Sequence, residues 1–205
     1  MNRQYFVTGI GTDIGKTVVS AILAEALQAH YWKPIQAGDL ENSDSIKVRT
    51  LCSNEVTIIE ENFRLKTAAS PHSAAKIDGI NIKLSDLKFP LIDGNLIIEG
   101  AGGVMVPIND KGELFIDYID HLKLPVIVVS RNYLGSINHT LMTIEALKNR
   151  GLEILGIIFN GEENIASENI ILKITNLPCI AKIPAVEYVN EQFIIDQAHK
   201  INLDF

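Results

Sequence analysis

Short, continuous runs of apolar residues recur along the chain, and several are followed by a turn and by apolar positions spaced for a helix. The first run covers residues 5–8, and residues 15–29 after it have helical spacing. Further strands are predicted at 31–33, 96–98, 125–130, 154–159 and 179–183, with helices at 137–148 and 167–175. Apolar strands that alternate with helices are typical of a parallel sheet covered on both faces.

The stretch 51–91 interrupts this alternation. Pro71, Gly79 and Pro90 punctuate it, so helices and connecting loops are expected there. The sequence contains no linker, internal repeat or low-complexity tract. With 205 residues, the chain is therefore expected to form a single α/β domain over residues 1–205, with a mostly parallel sheet and helices on both faces.

Composition narrows the possible partners. The hydrophobic fraction of 47% is that of an ordinary globular protein, and the formal net charge is −7. The basic residues are scattered, which argues against a nucleic-acid surface. No apolar run reaches membrane-spanning length, and no signal peptide is visible. Cys52 and Cys179 lie far apart with no nearby His, so free thiols and a cytoplasmic location are expected.

The strongest local signal is a glycine-rich loop between the first strand and the first helix. Residues 8–17 read Thr-Gly-Ile-Gly-Thr-Asp-Ile-Gly-Lys-Thr. Such a loop turns backbone N–H groups toward phosphates, where Lys16 can reach the β- and γ-phosphates and Thr17 can ligate Mg²⁺. Gly9 stands one residue earlier than the standard spacing places the first glycine. The pattern predicts a P-loop NTPase fold that uses ATP and Mg²⁺.

Two carboxylates are candidates for the metal site. Glu99 is predicted at the carboxyl end of a strand, where open α/β sheets bind ligands, although a capping or solvated role fits its position equally well. Asp44 taken alone is more typical of a helix N-cap. Lys33, taken alone, is typical of a surface lysine before a proline.

Taken together, several segments resemble the dethiobiotin synthetase family. Besides the phosphate loop, they are Lys-Pro-Ile-Gln-Ala-Gly at 33–38, Asn-Ser-Asp at 42–44, Ser-Pro-His at 70–72, Glu-Gly-Ala-Gly-Gly at 99–103, Leu-Gly-Ser-Ile-Asn-His at 134–139, Phe-Asn at 159–160 and Ile-Pro at 183–184. They occur in the order typical of the family and cover most of the chain. The ordered set is more specific than Gly-Lys-Thr alone.

The resemblance implies an ATP-dependent ligase of biotin biosynthesis. The family joins 7,8-diaminononanoate, CO₂ and ATP into dethiobiotin, ADP and phosphate. One amine becomes a carbamate, ATP phosphorylates it, and the second amine closes the ring with loss of phosphate. This chemistry needs positioning and charge neutralisation more than it needs a protein nucleophile.

The resemblance also implies roles for particular residues. The catalytic residues would be Lys33, Lys16 and Thr12. The Mg²⁺ ligands would be Thr17, Asp44 and Glu99. The nucleotide-binding residues would be Asp13, Ile14, Gly15, Lys16, Thr17, Asp44, Glu99, Gly100, Ala101, Gly102, Asn160, Gly161, Pro184, Ala185, Val186 and Glu191, with Asn160 recognising adenine.

Substrate binding is expected at Ala37 and at the start of a helix, where Gly135, Ser136, Ile137 and Asn138 would receive the substrate carboxylate. In the family the active site lies at a homodimer interface, so a homodimer is implied. The chain departs from the family at Ala37, where many members have a Ser or Thr that contacts the substrate. It also has Asp13 where Glu is common.

Two other functions remain open on the sequence. One is another amide-forming P-loop synthetase, although 205 residues leave no room for a glutamine-hydrolysing domain. The other is a nucleotide-dependent switch ATPase resembling MinD and ParA, which carry a lysine early in the loop where this chain has Gly11. A small GTPase is disfavoured because no Asn-Lys-x-Asp motif occurs.

Overall fold

The structure is a computed structural model of the chain, and it describes residues 2–53 and 56–203. Strands and helices alternate through most of these ranges. The strands are β1 (Gln4–Gly9), β2 (His30–Trp32), β3 (Ile35–Ala37), β4 (Ile58–Ile59), β5 (Phe63–Leu65), β6 (Leu96–Gly103), β7 (Val126–Ser130), β8 (Ile154–Gly161) and β9 (Cys179–Pro184). The helices are α1 (Lys16–Leu27), α2 (Asp44–Leu51), α3 (Pro71–Asp78), α4 (Phe115–Leu122), α5 (Ser136–Asn149), α6 (Ile165–Thr175) and α7 (Glu191–Ala198).

The main sheet contains seven strands in the order β4-β2-β6-β1-β7-β8-β9. Every neighbouring pair is parallel, so all carboxyl ends lie along one edge. From the central β1, the chain goes first to β2 on one side of the sheet and later to β7 on the other. Sheets of this kind bind ligands at the carboxyl edge, beside the strand where the connections diverge.

Helices cover both faces of this sheet. Ile97 and Ile98 of β6 are adjacent and both fully buried, as are Val126 to Val129 of β7. Because successive strand residues point to opposite faces, burial of neighbours requires cover on each side. α1 packs against α2 and α7, and α5 packs against α6. The predicted parallel α/β architecture is confirmed. None of the helices within residues 2–53 and 56–203 combines the length and apolarity needed to cross a membrane.

The prediction for residues 51–91 is wrong in part. This stretch includes Asn54 and Glu55, which lie outside the described residues. α3 is a helix as expected, but β4 adds an edge strand to the main sheet, and β5 pairs with β3 in a separate two-stranded parallel sheet. β3, β4 and β5 have only two or three residues each, which is too short for an alternating pattern to appear.

Candidate active site

The phosphate loop connects the end of β1 to the start of α1. Gly15 has φ +88°, and a Cβ at this position would lie 2.1 Å from Nδ2 of Asn160, so only glycine fits. Gly15 is also the N-cap of α1, and its position provides no side-chain hydrogen bond to the first turn. The first N–H groups of α1 therefore remain available for an anion.

Lys16 lies within this loop. Its side chain is almost fully buried, and Nζ donates a hydrogen bond to the carbonyl oxygen of Gly11 at 2.8 Å. The pKa of Lys16 is lowered to about 8, chiefly by burial; the charge of Glu99 opposes this effect and the charge of Lys33 adds to it. A phosphate placed in the loop would stabilise the charged form of Lys16.

A compact charged cluster lies beside the loop. Nζ of Lys33 contacts Oδ2 of Asp44 and lies 3.2 Å from Oε1 of Glu99. The same Oε1 accepts a hydrogen bond from the hydroxyl of Thr17 at 2.9 Å, and Oε2 accepts one from the hydroxyl of Tyr31, also at 2.9 Å. The two carboxylates are thereby held by donors that lie on α1, on β2 and directly after β2.

The pair of Lys33 and Asp44 keeps its charges at neutral pH. Burial alone would lower the pKa of Lys33, but the charges of Glu99 and Asp44 outweigh it, so the pKa is raised. Burial would raise the pKa of Asp44, yet the adjacent Lys33 holds it below its usual range. A permanently charged lysine therefore faces the end of the phosphate loop.

The position of Glu99 differs from its prediction. Glu99 was expected at the carboxyl end of a strand, but β6 continues to Gly103, and Glu99 pairs with Val7 in the middle of it. The strand passes close to β1 at Gly100, where a Cβ would lie 3.0 Å from the ring of Phe6. Glu99 is consequently 1% exposed, which excludes a solvated role.

The position of Asp44 also settles an alternative. The N-cap of α2 is Ser43, whose hydroxyl accepts a hydrogen bond from the N–H of Ile46, and Asp44 is the first helical residue. The carboxylate of Asp44 instead contacts Nζ of Lys33. The site, and not a helix cap, accounts for its placement.

The donor set around Lys33 fits Mg²⁺. The hydroxyl of Thr17 bonds to Glu99, and the carboxylates of Glu99 and Asp44 both lie against Lys33. Mg²⁺ prefers oxygen ligands from one or two carboxylates together with substrate phosphates. Within residues 2–53 and 56–203 there is no cluster of three or more His, Cys, Asp or Glu side chains that could hold a metal by themselves. A site completed by nucleotide phosphates is consistent with both observations.

A cavity of about 670 Å³ opens over the loop and this cluster. It combines a charged end with an apolar wall, to which Val106 and Pro71 contribute. Its lining contains eleven residues predicted from the sequence: Thr12, Asp13, Gly15, Lys16, Thr17, Lys33, Ala37, Asp44, Glu99, Ala101 and Gly102. Such a cavity suits a ligand with a polar reacting end and an aliphatic chain.

A second cavity of about 320 Å³ lies between the ends of β8 and β9. Four predicted nucleotide-binding residues line it: Asn160, Gly161, Pro184 and Ala185. Nδ2 of Asn160 donates to the carbonyl oxygen of Ile14 at 2.9 Å. This bond links the second cavity to the phosphate loop and leaves Oδ1 of Asn160 as an acceptor for a ligand.

Several predicted residues lie elsewhere. The carbonyl oxygen of Ile14, in the phosphate loop, accepts a hydrogen bond from Asn160, and Gly100 in β6 lies against the ring of Phe6. Val186 and Glu191 follow β9 but line neither of the two cavities. The residues predicted to bind the substrate carboxylate also line neither cavity. They lie around the first turn of α5: Gly135, Ser136, Ile137 and Asn138.

Three lining features escaped the sequence analysis. Gln36 bridges the site, since its Oε1 accepts the N–H of Asp44 at 3.3 Å and its Nε2 donates to Gly38 at 2.9 Å. Lys47 lies one helical turn after Asp44, a spacing that could have indicated its proximity. The wall at residues 68–71 comes from the loop before α3 and the first residue of that helix; its Ser-Pro pair belongs to a segment that carries the resemblance, but no site role was assigned to it.

Solved structures of other proteins share this fold. A ParA family ATPase from Chlorobium tepidum is 15% identical, with a TM-score of 0.58 over 97% of this chain and 98% of that one. The MinD protein from Pyrococcus horikoshii, solved with Mg-ADP, is also 15% identical, with a TM-score of 0.58 over 98% and 96% of the two chains. At this identity the likeness concerns the fold alone.

Sequence relatives are much closer. The family described as an AAA domain matches residues 3–192. An ATP-dependent dethiobiotin synthetase from Christiangramia forsetii is 53% identical over 201 residues, covering 98% of this chain and 96% of the relative. One from Cytophaga hutchinsonii is 48% identical over 201 residues, covering 97% of both chains. By near-complete coverage at this identity, the chain belongs to the family of ATP-dependent dethiobiotin synthetases.

Proposed function

We propose that the protein converts 7,8-diaminononanoate, CO₂ and ATP into dethiobiotin, ADP and phosphate. The observation that carries the proposal is the junction of a phosphate loop and the Lys33 cluster within one cavity that also has an apolar wall. The loop suits a triphosphate, the cluster suits a second anion beside it, and the wall suits an aliphatic chain.

The chemistry follows from the charges. A neutral amine of the substrate adds to CO₂ and loses a proton to give a carbamate. A carbamate oxygen attacks the γ-phosphorus and ADP leaves; the second amine then attacks the carbamate carbon and phosphate leaves. In this proposal Lys33, held beside Glu99, would offset the repulsion between carbamate and γ-phosphate, and Lys16 would hold the β- and γ-phosphates.

Mg²⁺, held by Thr17, Asp44 and Glu99, would supply further neutralisation of phosphate charge. The second cavity is proposed as the adenine site, with Oδ1 of Asn160 accepting a hydrogen bond from the base amino group. Pro184 and Ala185 would contribute backbone groups beside it. Val186 and Glu191 line neither cavity, and their contacts to the nucleotide stay a prediction.

Lys47 is proposed to provide the donor that Ala37 lacks. Both residues line the cavity, and Ala37 offers no side-chain hydrogen bond there. Nζ of Lys47 lies 3.1 Å from Asp39 and 3.6 Å from Asp44, and the side chain of Lys47 is 38% exposed. A cation at this wall favours the carbamate over the protonated amine, because a positive neighbour stabilises the anion and disfavours the ammonium.

We expect Lys47→Met to raise the KM for the diamine and for bicarbonate by about 3- to 20-fold, as for loss of one hydrogen bond from a partly exposed side chain. The KM for ATP should change little. Steady-state kinetics with each substrate varied in turn measures this. Lys76→Met is the matched control, since that lysine is exposed and pairs with Asp110 at 3.8 Å. Equal rises in all three KM values would contradict the assignment.

A homodimer is proposed as the active form. Apolar side chains of α5, α6 and the preceding loop are exposed: Leu134, Met142, Ile165, Ile170 and Ile174. Exposed apolar patches of this kind are typical of protein interfaces. The first turn of α5, at Gly135 to Asn138, borders this surface and lies outside the cavity of its own chain. Across a dimer, it would receive the substrate carboxylate bound by the partner.

We expect Met142→Glu to weaken the dimer and to make specific activity depend on protein concentration. A charge in an apolar interface is costly to desolvate, and separated chains would lose the α5 contact. Sedimentation velocity and activity across a dilution series measure both effects. Leu91→Glu, which places the same charge at a fully exposed leucine, is the control. A monomeric variant with full activity would contradict a site shared between subunits.

We also propose a cytoplasmic location, which the free thiols of Cys52 and Cys179 support. The alternative function is a switch ATPase, favoured only by the likeness in fold to ParA and MinD proteins. Phosphate release from Mg-ATP and bicarbonate separates the two. A synthetase releases phosphate when the diamine is added, whereas slow release indifferent to the diamine would indicate the switch.

A further inference from the structure

The phosphate loop adopts an uncommon backbone conformation before α1 begins. Asp13 has φ +58°, and Gly15, two residues later, has φ +88°. Glycine tolerates this region, but a residue with a Cβ incurs strain in it, although Asp does so less than most. Positive φ angles at these positions turn successive N–H groups toward one side, which is how an anion-binding concavity forms. The conformation of Asp13 therefore bears on nucleotide binding.

Two side chains from neighbouring strands bind the carbonyl groups of this segment. Asn160, near the end of β8, donates to the carbonyl of Ile14 at 2.9 Å. Arg131, directly after β7, donates from Nη1 to the carbonyl of Asp13 at 3.1 Å. The two bonds restrain consecutive peptide groups of the loop. Asn160 was expected to act on the nucleotide, whereas nothing in the sequence assigned a role to Arg131.

The path of the Arg131 side chain is also defined. It passes over Gly161, where an added Cβ would lie 3.3 Å from Nε and 3.4 Å from Cγ of Arg131. Gly161 lines the second cavity, and Asp13 lines the first. Arg131 therefore joins the region proposed for adenine to the region proposed for the phosphates.

We propose that Arg131 is a positioning residue for the phosphate loop: by binding the carbonyl of Asp13 it stabilises the left-handed conformation there and so raises nucleotide affinity. The inference rests on the proposed use of ATP but not on the identity of the second substrate. Removing the donor leaves the strained peptide of Asp13 free to relax, and the N–H groups that face the phosphates lose their alignment.

The test is Mg-ADP binding by calorimetry to the full chain. Arg131→Met keeps the aliphatic stem over Gly161 but removes the donor, and we expect affinity to fall about tenfold, as for one charged hydrogen bond. Arg150→Met is the control, since Arg150 pairs with Asp117 at 2.7 Å on the surface. Thermal unfolding of each variant reports whether it is folded.

A second background distinguishes positioning from direct contact. In Asp13→Gly, glycine adopts φ +58° without strain. Adding Arg131→Met to this variant should therefore lower the affinity for Mg-ADP by less than about threefold. An equal loss in both backgrounds would overturn loop positioning, and would place the guanidinium on the nucleotide itself. No loss in either background would also overturn it. Failure of the unsubstituted protein to bind Mg-ADP would instead contradict the proposed function.

Discussion

Replacing Lys33 with Gln is expected to lower turnover by at least ~100-fold while leaving ATP binding nearly unchanged. Lys33 carries the charge that faces the end of the phosphate loop, and Gln has neither that charge nor the length to reach both Asp44 and Glu99. ATP affinity should persist because the loop, Lys16 and the first turn of α1 are untouched. Single-turnover phosphate release and calorimetric ATP binding measure the two effects separately.

Stability must be followed in the same variant. Glu99 is 1% exposed, and loss of Lys33 removes the cation that lies 3.2 Å from its Oε1. Breaking a buried ion pair on one side typically costs about 3–5 kcal/mol of the free energy of unfolding, so the denaturation midpoint should fall. Lys76→Gln, at a 74% exposed lysine, controls for loss of a positive charge. Near-normal turnover in folded Lys33→Gln would remove Lys33 from the mechanism.

Replacing Gly15 with Ala is expected to weaken ATP binding by ~100-fold or more. The added methyl would lie 2.1 Å from Nδ2 of Asn160, and the residue would be held at φ +88°. Backbone strain of this kind is worth about 1–3 kcal/mol, and the steric conflict adds to it; ~2.7 kcal/mol already corresponds to 100-fold. Either the loop or Asn160 must move, and each belongs to the nucleotide site.

The matched control is Gly79→Ala. Gly79 has φ +69° at the end of α3, and a Cβ there would meet no atom within 4 Å. Both variants therefore carry a backbone penalty, but only Gly15→Ala distorts the site. Calorimetric binding of Mg-ATP and thermal unfolding compare them. Similar losses of affinity in the two variants would contradict the account of Gly15.

The sequence predicted those parts of the fold that have regular spacing. The buried strands β1, β7 and β8 and the helices α1 and α5 are long enough for a continuous apolar run or a helical period to appear. β3 and β5 were missed because pairing across a chain separation of 28 residues, and not local pattern, makes them strands. Likewise, β6 continues past Glu99 through Gly100, which lies against the ring of Phe6, and only the packing reveals this contact.

Some residues of the site could likewise be predicted from the sequence and others could not. The phosphate loop was predictable because phosphate binding needs glycines and a lysine at fixed local spacing. Lys33, Asp44 and Glu99 converge from three distant segments, so the residues alone left capping and surface roles open, and the resemblance to a family supplied their roles. The roles proposed for Arg131 and Lys47 depend on contacts to backbone or to neighbouring carboxylates, which leave no motif in the sequence.

The most direct test of the central claim is mass analysis of the product formed from Mg-ATP, 7,8-diaminononanoate and ¹³C-labelled bicarbonate. The account predicts a product with the mass of dethiobiotin carrying one labelled carbon, with one ADP and one phosphate formed for each molecule. Unchanged diamine, or ADP released without incorporation of the label, would contradict it.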